Sequence, residues 1–295
     1  MSSVGVLPAH VAGPRRSVRS RLLGGLAWVL FLGVYVYLYA PLVTIGVFAF
    51  NDSTVQSLPW AGFTLDWFAD IPGDTALLTA VRFGLTVSGI TVVLAGVIGT
   101  LFAVALHAVK GRGATLLQGA LMIPVVIPGM VLGLSLAIFF RVLGLTPGLW
   151  TVVVGHLTFT MPIVAMLVLT RLNRIDPSLA QASMDLGADG VRTFVNVTWP
   201  QVRTAVLAAC LLALTLSFDE VIVTFFLVGT QPTLPVYIWG QTRFGFTPEI
   251  NAIVTIIGGI SVVLIAVAAF VLEREIVDQG APAADPATAP GAPAA

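Results

Sequence analysis

Long apolar runs separated by short polar breaks make up most of the chain. Six runs reach the roughly 20 residues a helix needs to cross a bilayer core: 24–49, 78–109, 115–143, 149–171, 202–228 and 250–272. The pattern predicts an all-α membrane protein with six transmembrane helices. Pro41, Pro124, Pro128 with Gly129, and Pro162 fall within the runs, where neighbouring helices can satisfy the backbone groups that proline frees. The stretch Pro124-Val125-Val126-Ile127-Pro128-Gly129 predicts a bend or break in the third span. Gly84, Ser88, Gly89, Gly96 and Gly99 give the second span a run of small residues suited to close helix approach.

The sizeable polar break, 172–201, lies between the fourth and fifth spans. Asp176-Pro177 reads as a helix start, with Asp176 as N-cap and proline at the first helical position. A short helix then runs from Leu179 to Leu186 and stops at Gly187, which can take the left-handed conformation that ends helices. Asp189 is placed to cap a second short helix carrying Val191, Phe194, Val195 and Val197, which Pro200 closes before the next span. Two short helices joined at a glycine form a lever, with Met184, Leu186 and Phe194 expected to need a concave partner. Helix signals alone fit an interfacial helix lying on the membrane equally well.

Composition agrees with a bilayer. The 295 residues are 57% apolar and 9% charged, with mean hydropathy +1.00, whereas soluble domains carry about 25% charged residues. The zero formal charge removes the electrostatic case for a nucleic-acid partner. Cys210 is the single cysteine, so neither a disulfide framework nor a metal-ligand spacing exists, and a packed small residue is expected.

Basic residues orient the spans. With the N-terminus in the cytoplasm, 11 lie inside (Arg15, Arg16, Arg19, Arg21, Lys110, Arg112, Arg171, Arg174, Arg192, Arg203, Arg274) and 3 outside (Arg82, Arg141, Arg243). The positive-inside rule then puts both termini in the cytoplasm. Residues 1–21 read as a basic leader and 279–295 as an Ala/Pro-rich tail, both of disordered composition, flanking a membrane domain over 22–278. The apolar run from Leu22 to Phe50 is too long for the h-region of a signal peptide. Trp60 and Trp67, in the external loop 51–77, are expected at the membrane interface.

Several chemistries are missing. The sequence holds no G-x-x-x-x-G-K-[ST], and its one lysine, Lys110, sits in a Val109-Lys110-Gly111-Arg112 turn. Energy for active transport would therefore come from a partner or an ion gradient. Neither G-x-S-x-G nor H-E-x-x-H occurs, and His10, His107 and His156 are scattered, with His107 expected at a cytoplasmic helix end and His156 expected to be satisfied by a neighbour within its span. No catalytic or metal-ligating residues are assigned.

The sharpest chemical feature is Asp219-Glu220. If the fifth span starts near Val202, the pair lies about 25 Å along the helix, past the midplane. Carboxylates at such a depth face a watery path or a partner. Helical neighbours point about 100° apart, so one is expected to face the pathway and the other to pair within the bundle; the alternative is a pair locked to polar neighbours, with Arg243 or Arg141 as candidates, that fixes the break between span and loop. Tyr237, Trp239, Phe244 and Phe246 could pack over cations or form an interfacial belt on a short helix. Glu249 stands at the start of the sixth span, on its outer side.

Gln181-Ala182-Ser183-Met184-Asp185-Leu186-Gly187, followed by Val197-Thr198-Trp199-Pro200, resembles the E-A-A, G, I-x-L-P loop of ABC-importer permeases. Phe50-Asn51-Asp52-Ser53, Gly62-Phe63-Thr64 with Trp67, and Ser217-Phe218-Asp219-Glu220-Val221 narrow the resemblance. So do Thr233-Leu234-Pro235, Arg243-Phe244-Gly245 and Pro248-Glu249-Ile250-Asn251-Ala252. Over about 22–272 the chain resembles the C-type permeases of spermidine/putrescine importers.

The resemblance implies the type I ABC-importer permease fold in a multi-pass bacterial inner-membrane subunit. It also implies a second permease, a dimer of ATP-binding subunits that carry the ATP and magnesium, a periplasmic or lipid-anchored binding protein, and a polyamine substrate. This chain would bind no cofactor of its own. Coupling to the ATPase would fall to Gln181, Ala182, Ser183, Met184, Asp185, Leu186, Gly187, Phe194, Val197, Trp199 and Pro200. Asp219, Glu220, Tyr237, Trp239 and Glu249 would flank the substrate path. Two residues depart from the pattern: Gln181 replaces the glutamate and removes its charge, and Trp199 replaces a leucine. The alternatives are a permease for another small solute and an ion-coupled transporter using Asp219 and Glu220.

Overall fold

The computed structural model describes residues 18–55, 58–109, 111–243, 247–260 and 262–263. They form an all-helical protein, and among them the one extended pairing is an isolated bridge between Asn51 and Phe63. The chain divides into two units, one of residues up to Phe68 plus those from Thr247 onward, the other Ala69–Phe246.

The first unit begins with α1 (Val18–Phe48), apolar enough over Gly25–Phe48 to cross a membrane. Its side chains from Trp28 to Val43 are exposed on every face, as expected of a helix solvated by lipid or by other membrane helices. A knot follows, built from the residues that carry the family resemblance. Asn51, 1% exposed, accepts the Ala61 amide on its side chain and the Trp67 indole N–H on its carbonyl, both at 2.9 Å. Phe50 packs on Phe63 and Phe68. Trp67 is thus a clamp within the loop. α2 (Asp66–Asp70) ends the loop. The sixth apolar run appears here as α12 (Pro248–Ile260); its expected continuation to 272, residues 1–17 of the leader expected over 1–21, and the tail 279–295 lie outside the described residues, while 18–21 already belong to α1.

In the second unit, Asp74 caps α3 (Thr75–Ala108) by accepting the Leu77 amide at 2.9 Å. α4 (Arg112–Val126) and α5 (Gly129–Val142) replace the expected third span and meet at 95°. The break is at Ile127-Pro128, where the residue before proline is extended, as the proline ring requires. Pro124, by contrast, stays inside α4.

α6 (Leu149–Leu172) and α9 (Trp199–Phe218) pack on α3. Between them lies a core of small and branched residues that includes Ala95, Ala103, Val164, Val168, Val202 and Ala209. Small residues set the spacing: a Cβ added at Gly99 would lie 3.0 Å from the Cβ of Val164. Among the described residues, four helices and the bent pair are long and apolar enough to cross a membrane.

The fifth span differs from expectation. The helix stops at Phe218, and α10 (Ile222–Leu227) follows a three-residue break. The sequence hides this break because Ile222–Leu227 continues the apolar run. α11 (Leu234–Gln241) starts after Thr233, with Pro235 in its first turn.

Candidate functional site

Two places gather the residues singled out by sequence. The first is the elbow between α6 and α9. Asp176 caps α7 (Pro177–Asp185), its carboxylate accepting the Ser178 amide at 2.9 Å. The Ser178 amide and hydroxyl hold that exposed carboxyl below its ordinary value of 3.8. α7 ends as Gly187 takes φ +84°, the left-handed geometry that favours glycine. Asp189 then caps α8 (Gly190–Thr193) through the Arg192 amide at 2.8 Å. The two helices are tied by a 3.1 Å hydrogen bond between the hydroxyls of Ser183 and buried Thr193.

Beyond α8 the helix does not close at Pro200. Phe194–Thr198 forms a π turn, with the Trp199 amide donating to the Phe194 carbonyl, and Pro200 lies in the first turn of α9. The widened turn relieves the clash that proline makes with the preceding helical turn, so the chain runs on helically from Gly190 to Phe218.

The exposed apolar surface also differs from the expected trio. Met184 (52%) and Leu186 (90%) are exposed, joined by Leu179, Val191 and Val195. Phe194 instead turns inward, half-buried, its ring 6.4 Å from that of Trp199. Gln181, Ala182, Asp185 and Gly187 share the exposed surface, while Val197 is half-buried.

The second place is the break after α9. Asp219 follows the last helical turn and is exposed; Glu220 is half-buried and turns its carboxylate onto the Val223 amide at 2.9 Å, capping α10. The two therefore lie in a three-residue break between helices. Among the described residues neither forms an ion pair with Arg141 or Arg243. Arg141 instead lines a cavity of about 520 Å³ with Phe140, Thr151 and Phe226.

His156 holds this break from α6; sequence reading expected it to be satisfied within its span but did not connect it to the break. Fully buried, it lies 2.8 Å from the Ser217 hydroxyl through Nδ1 and 2.8 Å from the Thr224 hydroxyl through Nε2. Thr224 already donates its hydroxyl hydrogen to the Glu220 carbonyl at 2.8 Å. It must then accept from Nε2–H, which leaves Nδ1 to accept from Ser217. The relay Ser217–His156–Thr224–Glu220 satisfies every polar atom that this break buries on the imidazole and both hydroxyls. The only advance signal was one histidine in an apolar span with hydroxyl residues near the acidic pair.

The remaining site residues are dispersed. Tyr237 donates its hydroxyl to Asp74 at 3.3 Å and accepts from Gln241 at 3.2 Å, pinning α11 to the start of α3. Trp239 is exposed. Glu249 is half-buried in the first turn of α12, in the other unit; Phe244 and Phe246 lie outside the described residues. His107, at the end of α3, is 2.8 Å from the side-chain oxygen of Asn173.

Comparison with known proteins gives this architecture a family. Residues 95–275 match the sequence profile described as "Binding-protein-dependent transport system inner membrane component". The chain is 34% identical over 233 residues to the spermidine/putrescine transport system permease protein PotC of Escherichia coli, covering 79% of this chain and 88% of that one. It is 34% identical over 239 residues to the putrescine transport system permease protein PotI of the same organism (78% and 84%). With PotC of Haemophilus influenzae it shares 32% identity over 242 residues (82% and 94%). A solved bacterial ABC transporter involved in import of the acidic polysaccharide alginate superposes with TM-score 0.68 at 16% identity, over 88% of this chain and 99% of that one. The MetNI methionine transporter does so at 0.57 and 20% identity (70% and 98%). The chain therefore belongs to the binding-protein-dependent transport system inner membrane component family, the membrane permeases of ABC importers.

Proposed function

We propose that this chain is one permease subunit of an ATP-driven, binding-protein-dependent importer of polyamines in a bacterial inner membrane. In this reading α12 continues across the bilayer as the sixth span, and both termini lie in the cytoplasm, as the 11 to 3 division of basic residues requires. A second permease completes the pathway, and a periplasmic or lipid-anchored protein delivers the solute. ATP and magnesium bind a dimer of partner subunits, because this chain carries no nucleotide-binding motif of its own.

The observation that carries the reading is the elbow. Leu186 and Val191, 90% and 74% exposed, project from two capped helices joined at Gly187. Apolar side chains held so far from the core of the bundle mark a docking face. ATP-driven closure of the partner dimer would push that face, and the helical continuity from Gly190 to Phe218 would carry the push toward Asp219. Gln181 offers hydrogen bonds without charge, so at this position the contact is not an ion pair. Polyamine as cargo rests on the named relatives and on the exposed Asp219 carboxylate, whose charge suits an ammonium group.

The test is ATP turnover by the complete complex reconstituted in nanodiscs with its binding protein. Spermidine or putrescine is expected to stimulate turnover and to be taken up in proteoliposomes. Stimulation by an uncharged or anionic solute, with none by polyamines, would contradict the cargo assignment.

A further inference from the structure

The helical path that leaves the elbow ends at Phe218, three residues short of α10. α6 runs unbroken beside it and is bonded to both sides of that gap. Its His156 imidazole meets Ser217 of α9 and Thr224 of α10, each at 2.8 Å. Nearer the start of α6, the Thr151 hydroxyl lies 2.8 Å from the Leu227 carbonyl, which also accepts the Gly148 amide at 3.2 Å. Gly155 lets α10 close against α6, since a Cβ there would run into the Leu227 side chain. α10 packs on α5 as well, at Gly133.

The opposite end of α6 is tied to the root of the elbow. Arg171 donates through Nε to the Gln201 carbonyl, in the first turn of α9, at 3.1 Å. The Gln201 side chain donates in turn to the Val197 carbonyl at 2.9 Å, bracing the π turn. Leu172 and Val202, the next residue on each strand of this link, are 3% and 0% exposed in one core cluster. A charge-assisted bond set against packed side chains holds its geometry better than one between two mobile surface groups. From Arg171 to His156 is about 22 Å along the helix.

We propose that α6 carries the displacement of the elbow past the break to α10, with Arg171 as the positioning residue at the receiving end and His156 at the delivering end. The inference rests on the coupling role of the elbow and extends it. Through α9 alone the push stops at Phe218; through α6 it reaches both flanks of Asp219 and Glu220, so root, α9 and α10 move as one body. Which solute the complex carries does not enter.

The test uses the complete transporter in nanodiscs, in a C210S background, with spin labels at N196C and at either L211C or F225C, all on exposed positions. Distances are measured without nucleotide and with ATP, magnesium and vanadate. In wild type the 196–211 and 196–225 distances are both expected to stay constant. R171M removes the donor; it is expected to leave 196–211 constant while 196–225 changes by several ångström with nucleotide. R171Q puts an amide nitrogen where Nε stood and is expected to restore the constant distance. An unchanging 196–225 distance in R171M, with the ATPase still bound, would overturn the role of Arg171. A nucleotide-dependent 196–225 distance in wild type would overturn the proposal too, since α10 would then move apart from the elbow. Failure of the ATPase to co-purify with wild type would instead remove the coupling role of the elbow itself. T224V cuts the far contact without touching the elbow and is expected to free α10 in the same way, so it decides the matter if R171M assembles poorly.

Discussion

Adjacent carboxylates at the end of α9 stand in different environments, and that difference separates their expected roles. Asp219 is exposed, whereas Glu220 spends its charge on the Val223 amide. Asp219→Asn is expected to lower polyamine uptake several-fold while the purified complex keeps its composition and thermal stability. Unchanged uptake would remove Asp219 from the pathway. Glu220→Gln keeps an acceptor for the cap; Glu220→Ala loses it, at about 1 kcal/mol, read as a lower unfolding midpoint. His156→Ala is the more damaging change. It opens a cavity and leaves the buried Ser217 hydroxyl without its acceptor, costing about 2–5 kcal/mol. Wild-type stability in that variant would show that the relay does not hold the break. Sequence marked the acidic pair and left open whether it is two helical neighbours or a lock on a break between span and loop. The apolar character that predicts the span continues through Ile222–Leu227, so the Glu220 cap is what reveals the break.

At the scale of the element, the elbow was the most legible part of the chain, because caps and turns are written in a few consecutive residues. Asp176, Pro177, Gly187 and Asp189 all take the positions their chemistry suggests. Phe194 and Pro200 were misread because their environment is made by α3 and by the π turn, neither of which is local. Gly187→Ala puts a Cβ into left-handed backbone, at about 1–2 kcal/mol. It is expected to alter the angle between α7 and α8 and to weaken the link between ATP turnover and uptake without unfolding the spans. The cap at Asp176 has a defined pH dependence. Its folded pKa lies below 3.8, so its contribution is complete above that value and is lost as pH falls through the lowered one. The protection of the Ser178 amide from hydrogen exchange, taken relative to its intrinsic rate at each pH, is expected to fall only in that acidic window. Loss of protection near neutral pH would point to a different cap.

The whole molecule was legible as a membrane protein but not as a set of straight rods. Apolar run length located five of the six expected spans among the described residues, counting the bent pair as one, while the 95° turn between α4 and α5 depends on where Pro128 can be accommodated, which sequence narrowed to six residues. The expected topology is open to direct test. In a Cys210→Ser background, Ser178→Cys and Gly113→Cys should react with impermeant maleimide from one side of the membrane and Ser53→Cys from the other. Labelling of Ser178→Cys and Ser53→Cys from the same side would contradict it. Mechanical coupling through the elbow is tested most directly by Leu186→Asp in the complete transporter, with ATPase association, thermal stability and uptake measured together. A charge on this 90% exposed side chain is expected to abolish co-purification of the ATPase and solute uptake while the unfolding midpoint of the permease stays at the wild-type value. Undiminished import with the ATPase still bound would contradict the coupling role of the elbow.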